Sequence, residues 1–185
     1  MNKVIIVGGG AAGMLCSIIA ARNGCEVFLY EKNEKLGKKL YITGKGRCNV
    51  TNNCEVEDLL RAVMTNSKFL YSAFYTFNSQ DMMALLEETG VPLKTERGNR
   101  VFPQSDRSSD IIRGLERLMK KYGVHVRFRS EVREILTKDG TATGISLADG
   151  EVQNADAVVV ATGGLSYPTT GSTGDGYRFA RETGH

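Results

Sequence analysis

The chain has 185 residues, 41% hydrophobic and 24% charged, with a formal net charge of +3 at pH 7. That length supports a domain with its own core, no apolar run is long and unbroken enough to span a bilayer, and the charge is too small to argue for a nucleic-acid partner by itself. Four cysteines, Cys16, Cys25, Cys48 and Cys54, come without a secretory signal or a CxxC pair, so a cytoplasmic chain with reduced thiols is expected.

Lys3–Val7 reads as a β-branched strand. Gly8-Gly9-Gly10-Ala11-Ala12-Gly13 follows, then an apolar helix over Met14–Ala21, a second strand over Val27–Tyr30, and Glu31. Strand, glycine turn, helix, strand and acid together form a dinucleotide-binding fingerprint. Gly8 lets the chain turn tightly out of the strand, Gly10 lets backbone approach a pyrophosphate, and Gly13 lets the helix pack close to the strand. The helix N-terminus directs N–H groups and a positive dipole end at phosphates. A carboxylate at Glu31 accepts ribose hydroxyls and repels a 2′-phosphate, which favours FAD or NAD over NADP.

Beyond Glu31 the stretch to Asn53 is polar and punctuated by glycine, so it reads as a long functional loop. It crowds Lys32, Lys35, Lys38, Lys39, Lys45 and Arg47 together, which suits an anion-binding loop. Helices are predicted over Val56–Met64, Lys68–Phe77 and Ser79–Thr89, the last with Ser79 as cap and Gly90 as stop. The aromatic residues Phe69, Tyr71, Phe74, Tyr75 and Phe77 read as core. Short strands are expected at Val91–Thr95 and Arg100–Phe102, and an amphipathic helix from Ser108 or Ser109 to Tyr122. A strand at Val124–Phe128 precedes a three-stranded antiparallel meander, Glu131–Thr137, Thr141–Ala148 and Glu151–Gln153, turned at Asp139-Gly140 and Asp149-Gly150. Ala155–Ala161 reads as a buried strand ending at Thr162-Gly163-Gly164, and Tyr177–Thr183 as a short helix for which Asp175 is either a cap or a ligand residue.

The element order implies an α/β fold: a Rossmann-like parallel sheet with a βαβ start, a helical layer on one side and the three-stranded β-meander on the other. The expected organisation is the front part of one dinucleotide-binding domain over residues 1–185: the fingerprint (1–31), a functional loop with a helical insertion (32–107), a helix, strand, meander and Ala-Thr-Gly strand (108–164), and an exit segment (165–185).

Three stretches carry a family resemblance: Lys35-Leu36-Gly37-Lys38-Lys39 running into Thr43-Gly44-Lys45-Gly46-Arg47-Cys48-Asn49-Val50-Thr51-Asn52; Arg100-Val101-Phe102-Pro103; and Ala161 to Pro168 with Gly174-Asp175-Gly176-Tyr177. With these the chain resembles the BaiN-like (YhiN-like) NAD(P)/FAD-dependent oxidoreductases, also described as the aminoacetone-oxidase family, within the glutathione-reductase superclass. The resemblance implies FAD as cofactor, makes residues 1–185 the N-terminal part of an FAD-binding domain with 32–107 as its flavin-contacting loop and helical insertion, and has the exit segment 165–185 lead to a substrate domain outside this sequence. It implies that Gly8, Gly10, Ala11, Ala12, Gly13 and Glu31 hold the ADP half, with Lys32 near the adenosine ribose. By the same resemblance Gly37, Lys39, Thr43, Gly44, Gly46, Arg47, Cys48 and Asn49 reach the pyrophosphate and flavin edge, with Lys39 and Arg47 offsetting phosphate charge. Val132 is implied to touch adenine through its backbone, and Ala161, Thr162, Gly163 and Gly164 to pass the adenosine and pyrophosphate. Disulfide reductases of the superclass carry Cys-x4-Cys near this point; here five residues separate Cys48 from Cys54, which argues against a redox pair.

The function so implied is an FAD-dependent oxidoreductase passing hydride between a small-molecule substrate and flavin, with NAD(P)H or oxygen as the other partner. A non-catalytic flavin- or nucleotide-binding module is one alternative. An RNA-modifying flavoenzyme is another, resting on Lys120, Lys121, Arg127, Arg129 and Arg133, although a solvated basic face explains these residues better. No metal ligands, catalytic acid or base can be named; His125 and His185 read as structural or incidental.

Overall fold

The computed structural model describes residues 1–185. In chain order the elements are β1 (Lys3–Val7), α1 (Ala11–Arg22), β2 (Glu26–Tyr30), α2 (Lys38–Ile42), a 3-10 turn (Thr43–Gly46), β3 (Thr51–Asn52), α3 (Val56–Ala62), a 3-10 turn (Ser67–Leu70), α4 (Tyr71–Thr76), α5 (Ser79–Glu88), β4 (Leu93–Glu96), β5 (Arg100–Pro103), α6 (Ser108–Lys121), β6 (His125–Arg127), β7 (Val132–Lys138), β8 (Thr141–Leu147), β9 (Val152–Asn154), β10 (Ala157–Val160), a 3-10 turn (Pro168–Thr170) and α7 (Asp175–Glu182). They group into two compact units, Met1–Leu40 with Leu115–His185, and Tyr41–Gly114.

The first unit is built on a parallel sheet of order β10-β1-β2-β6. Alternation along the strands divides their side chains between two faces. Ile5, Val7 and Tyr30 join Val132, Ile135, Ile145 and Leu147 of the meander and Phe179 of α7 in one buried cluster. Val4, Ile6, Val27 and Leu29 point the other way and are also buried; α1 lies against β1 and β2 and buries Met14 and Ile18. Each such aliphatic side chain contributes roughly 1.5–3 kcal/mol when fully buried. The meander is the antiparallel sheet β7-β8-β9, and its first turn has Asp139 and Gly140 both left-handed, as a two-residue hairpin requires.

The second unit carries the antiparallel sheet β3-β5-β4 and helices α3 to α5. The predicted cap of α5 shifts by one residue: Asn78 accepts the Gln80 and Asp81 N–H groups in a capping box, while Ser79 is buried and its hydroxyl accepts from Thr51. The aromatic stretch is not core. Phe69, Tyr71 and Tyr75 are 80%, 56% and 48% exposed, and Phe74 and Phe77 are half-buried. The reason is a break in the predicted helix: Ser67–Leu70 is a 3-10 turn and Tyr71–Thr76 a separate α-helix, so one apolar stripe does not run through both. The Tyr71 and Tyr75 rings pack against each other, tilted, with centroids 4.5 Å apart, and the Tyr75 hydroxyl donates to Glu57.

The polar stretch after Glu31 is also more ordered than a loop. It holds α2, a 3-10 turn and β3, with Gly44, Lys45, Gly46 and Cys48 all left-handed. Gly44 is required there, since a Cβ would stand 2.9 Å from the Asn49 nitrogen.

Candidate functional site

Where β1 ends, three backbone segments meet. A Cβ on Gly8 would stand 2.6 Å from the Ala161 carbonyl oxygen, and one on Gly13 would stand 1.9 Å from the Gly8 carbonyl oxygen. Gly8 also has φ +105, so two independent restrictions select glycine. Gly9 is crowded by side chains rather than backbone: a Cβ would fall 2.3 Å from the buried Leu36 side chain. Gly37, itself left-handed, donates its N–H to the Gly9 carbonyl. The turn is thus clamped from outside by Leu36-Gly37.

Gly10 is different. It has φ −79, and a Cβ on it would meet nothing within 4 Å. No contact inside the chain calls for glycine there. It is the N-cap of α1, no side chain caps that helix, and no acidic residue lies in its first turn. The uncapped N–H groups and dipole end therefore face open space beside the exposed Ala11 and Ala12, a geometry that accepts a phosphate.

Glu31 closes the other side. Its carboxylate is buried and accepts the Gly9 N–H at 2.7 Å, the Asn33 N–H at 2.8 Å and the Asn33 side-chain amide at 2.6 Å. A carboxylate has about four acceptor positions, so about one remains for a ribose hydroxyl. Past β10, Thr162, Gly163, Gly164, Gly176 and Tyr177 line a cleft with Val160. The Thr162 hydroxyl oxygen is buried there without a hydrogen-bond partner, a costly arrangement that a ligand's polar group would relieve. The residues of this unit fit a dinucleotide.

The other expected site residues are placed as follows. Lys32 is ion-paired with Asp175 at 2.7 Å, and Lys39 donates to Ser166 at 3.2 Å. Asp175 does not cap α7: the N-cap is Gly174, and the Asp175 carboxylate takes Lys32 and Thr173 instead. Val132 is buried in the core cluster at the start of β7. Thr43, Gly44, Gly46, Arg47, Cys48 and Asn49 all lie in the unit Tyr41–Gly114.

Arg47 is not a free cation. Within its own unit it is paired with Glu96 and Asp106 and stands over the Phe102 ring at 4.1 Å. Lys94 joins the same group, and Lys94 with Arg47 holds the Asp106 carboxyl below its ordinary range. All four cysteines are free thiols. Cys48 is 1% exposed, and burial pushes its thiol pKa up, which opposes a reactive thiolate.

Sequence reasoning missed Asn33 and Leu36 as parts of the site, and it gave Gly9 no separate role within Gly8 to Gly13. Only Gly9 left a signal, a third glycine at the free position inside Gly8-x-Gly10.

The family model described as the HI0933-like protein Rossmann domain matches residues 2–185. A 3-dehydro-bile acid delta(4,6)-reductase of Clostridium scindens is 33% identical over 100% of this chain and 44% of its own length. A ribosomal RNA dihydrouridine synthase of Escherichia coli is 35% identical over 97% of this chain and 44% of its own length. The chain thus spans under half the length of these relatives. Among solved structures, 3-ketosteroid-delta4-(5alpha)-dehydrogenase from Rhodococcus jostii superposes with a TM-score of 0.70 over 90% of this chain and 47% of that one, at 18% identity, a likeness of fold alone. FAD is the cofactor that this family calls for.

Proposed function

Since the chain belongs to the HI0933-like protein Rossmann-domain family, we propose that it is the FAD-binding part of a flavoprotein oxidoreductase. The observation that carries this reading is the open space over Gly10 at an uncapped helix N-terminus, next to a turn whose Gly9 is bonded to a buried carboxylate with an acceptor position to spare. In this reading Gly8, Gly10, Ala11, Ala12 and Gly13 take the pyrophosphate, Glu31 takes the ribose, and Ala161 to Gly164 pass alongside. Bound FAD supplies two-electron hydride chemistry, and the chain's own residues orient it. The substrate is a small molecule, with NAD(P)H or oxygen as the second partner.

A second reading, in which the substrate is RNA, is favoured by the relative named as a ribosomal RNA dihydrouridine synthase and by the exposed Lys120, Lys121, Arg129 and Arg133. Arg127 contributes less to such a surface, being held bidentately by Glu151.

The test is FAD titration of the purified protein followed by flavin fluorescence, then reduction with NADH or NADPH. Uptake of FAD and bleaching of its colour support the oxidoreductase. A protein that takes up no FAD sinks the proposal, and one that holds FAD but is never reduced returns the reading to a binding module. RNA binding that survives high salt supports the second reading, because non-specific phosphate contacts fade with salt.

A further inference from the structure

Lys32 follows Glu31 directly, at the place where a basic side chain beside the ribose carboxylate would accept a 2′-phosphate. The backbone here is fixed. Glu31 N–H donates to Arg127 C=O at 2.8 Å, Ser130 N–H to Glu31 C=O at 3.0 Å, and Arg129 N–H to Asn33 C=O at 3.0 Å. On this fixed backbone the Lys32 side chain is engaged. Its ammonium donates to Asp175 Oδ2 at 2.7 Å and to Thr173 Oγ1 at 2.7 Å, and the Thr173 hydroxyl lies 3.0 Å from the same Asp175 oxygen.

This is more than a solvated pair. The Lys32 and Asp175 side chains are 26% and 24% exposed. The segment that carries Thr173 and Asp175 is pressed onto the Glu31–Asn33 turn. Gly171 has φ +98, and a Cβ there would stand 2.6 Å from the Asn33 amide nitrogen and 3.3 Å from Lys32 Cε. The Asn33 amide also donates to the Thr170 carbonyl at 3.4 Å. Another nearby cation, Lys38, is held by Asn33 and Glu34.

We propose that Asp175 and Thr173 are specificity-determining residues of the nucleotide site: by engaging the Lys32 ammonium they withhold it from a ribose 2′-phosphate, so the site rejects 2′-phosphorylated adenosine. The proposal rests on the dinucleotide reading above. Glu31 repels a 2′-phosphate by its charge, and Asp175 neutralises an adjacent cation that would offset that repulsion. Releasing Lys32 restores a mobile donor with a four-carbon reach beside the ribose.

The test compares ADP-ribose with 2′-phospho-ADP-ribose, which differ only in the phosphate, by titration calorimetry on the full chain at low salt. Wild type is expected to prefer ADP-ribose. Asp175→Asn keeps the side-chain shape and is expected to narrow that preference about tenfold, the scale of one charge-assisted hydrogen bond. The gain should fade at high salt. The double variant Lys32→Met/Asp175→Asn should return to the wild-type preference. An unchanged ratio in folded Asp175→Asn overturns the proposal, as does a gain that persists without Lys32. Thr173→Val removes one of the two ammonium partners and is expected to narrow the preference by a smaller factor; it serves if Asp175→Asn does not fold, and no narrowing then overturns the proposal. Wild type that binds neither ligand overturns the dinucleotide reading itself, and the inference with it.

Discussion

Glu31 Oε2 accepts the Gly9 N–H at 2.7 Å, so the acid at the end of β2 is bonded to the middle of the glycine turn after β1. On the dinucleotide reading, one carboxylate therefore both shapes the phosphate turn and presents the ribose acceptor. The two tasks cannot be separated by mutation at Glu31, and that sets the first prediction.

Glu31→Gln puts an amide NH2 against the Gly9 or Asn33 donors, which leaves a donor facing a donor. FAD affinity should fall about 10- to 100-fold, as expected for loss of a charge-assisted bond. The melting temperature should fall with it. Fluorescence titration and thermal melting of the same sample check both, and unchanged affinity would show that Glu31 does not touch the nucleotide.

Gly10 and Gly13 should separate binding from folding. Gly13→Ala drives a methyl to 1.9 Å from the Gly8 carbonyl and should cost about 1–3 kcal/mol of stability. Gly10→Ala meets nothing in the chain. It should cost under about 1 kcal/mol as a poorer N-cap while weakening FAD binding severalfold or more. Urea denaturation measures the first effect and FAD titration the second.

Acid should weaken the link between β6 and the meander. Arg127 pairs bidentately with Glu151, and this pairing with the Gln153 amide lowers the Glu151 carboxyl to about 2. A carboxyl lowered in the folded state stabilises above its ordinary value, 4.5, and loses that contribution as pH falls toward about 2. The pair is substantially exposed, so the effect is small and salt-sensitive. Melting temperatures of wild type and Glu151→Gln should differ at pH 6 and converge near pH 2; a gap that stays constant would show that the pair does not titrate as described.

Cys48 should resist alkylation in the folded protein, being buried with its thiol pKa raised. Iodoacetamide at pH 8 followed by mass spectrometry should label it only after denaturant is added. Labelling of the native protein at a rate typical of a free thiol would show that the Thr43–Cys48 turn opens readily.

The βαβ start, the meander and its Asp139-Gly140 turn were legible because their signals are local: β-branched runs, glycine spacing, a two-residue hairpin. What stayed hidden depends on distant partners. Lys32 meets Asp175 and Thr173 across more than 140 positions, and no local pattern marks that pairing. Asn33 and Leu36 looked like loop residues, yet they brace Glu31 and Gly9. The resemblance and a basic local stretch put Arg47 at the phosphates; nothing local marks its carboxylate partners, Glu96 and Asp106, which arrive from a hairpin and the turn beyond it. The aromatic stretch misled for the opposite reason: hydrophobicity at helical spacing was present, but a 3-10 turn broke the face it would have formed.

The sheet itself constrains the order of assembly. β1 is paired on one side with β2, about 20 residues away, and on the other with β10, with Val4 opposite Ala157. During synthesis the first strand can gain its helix and second strand early, but its remaining edge waits for more than 150 residues to emerge. Until then Ile5 and Val7 lack the meander and α7 that bury them. Such non-local closure slows folding and leaves an unpaired, β-branched edge exposed for its duration, so this protein should refold slowly and lose yield to aggregation at high concentration, with refolding yield against dilution as the direct measurement.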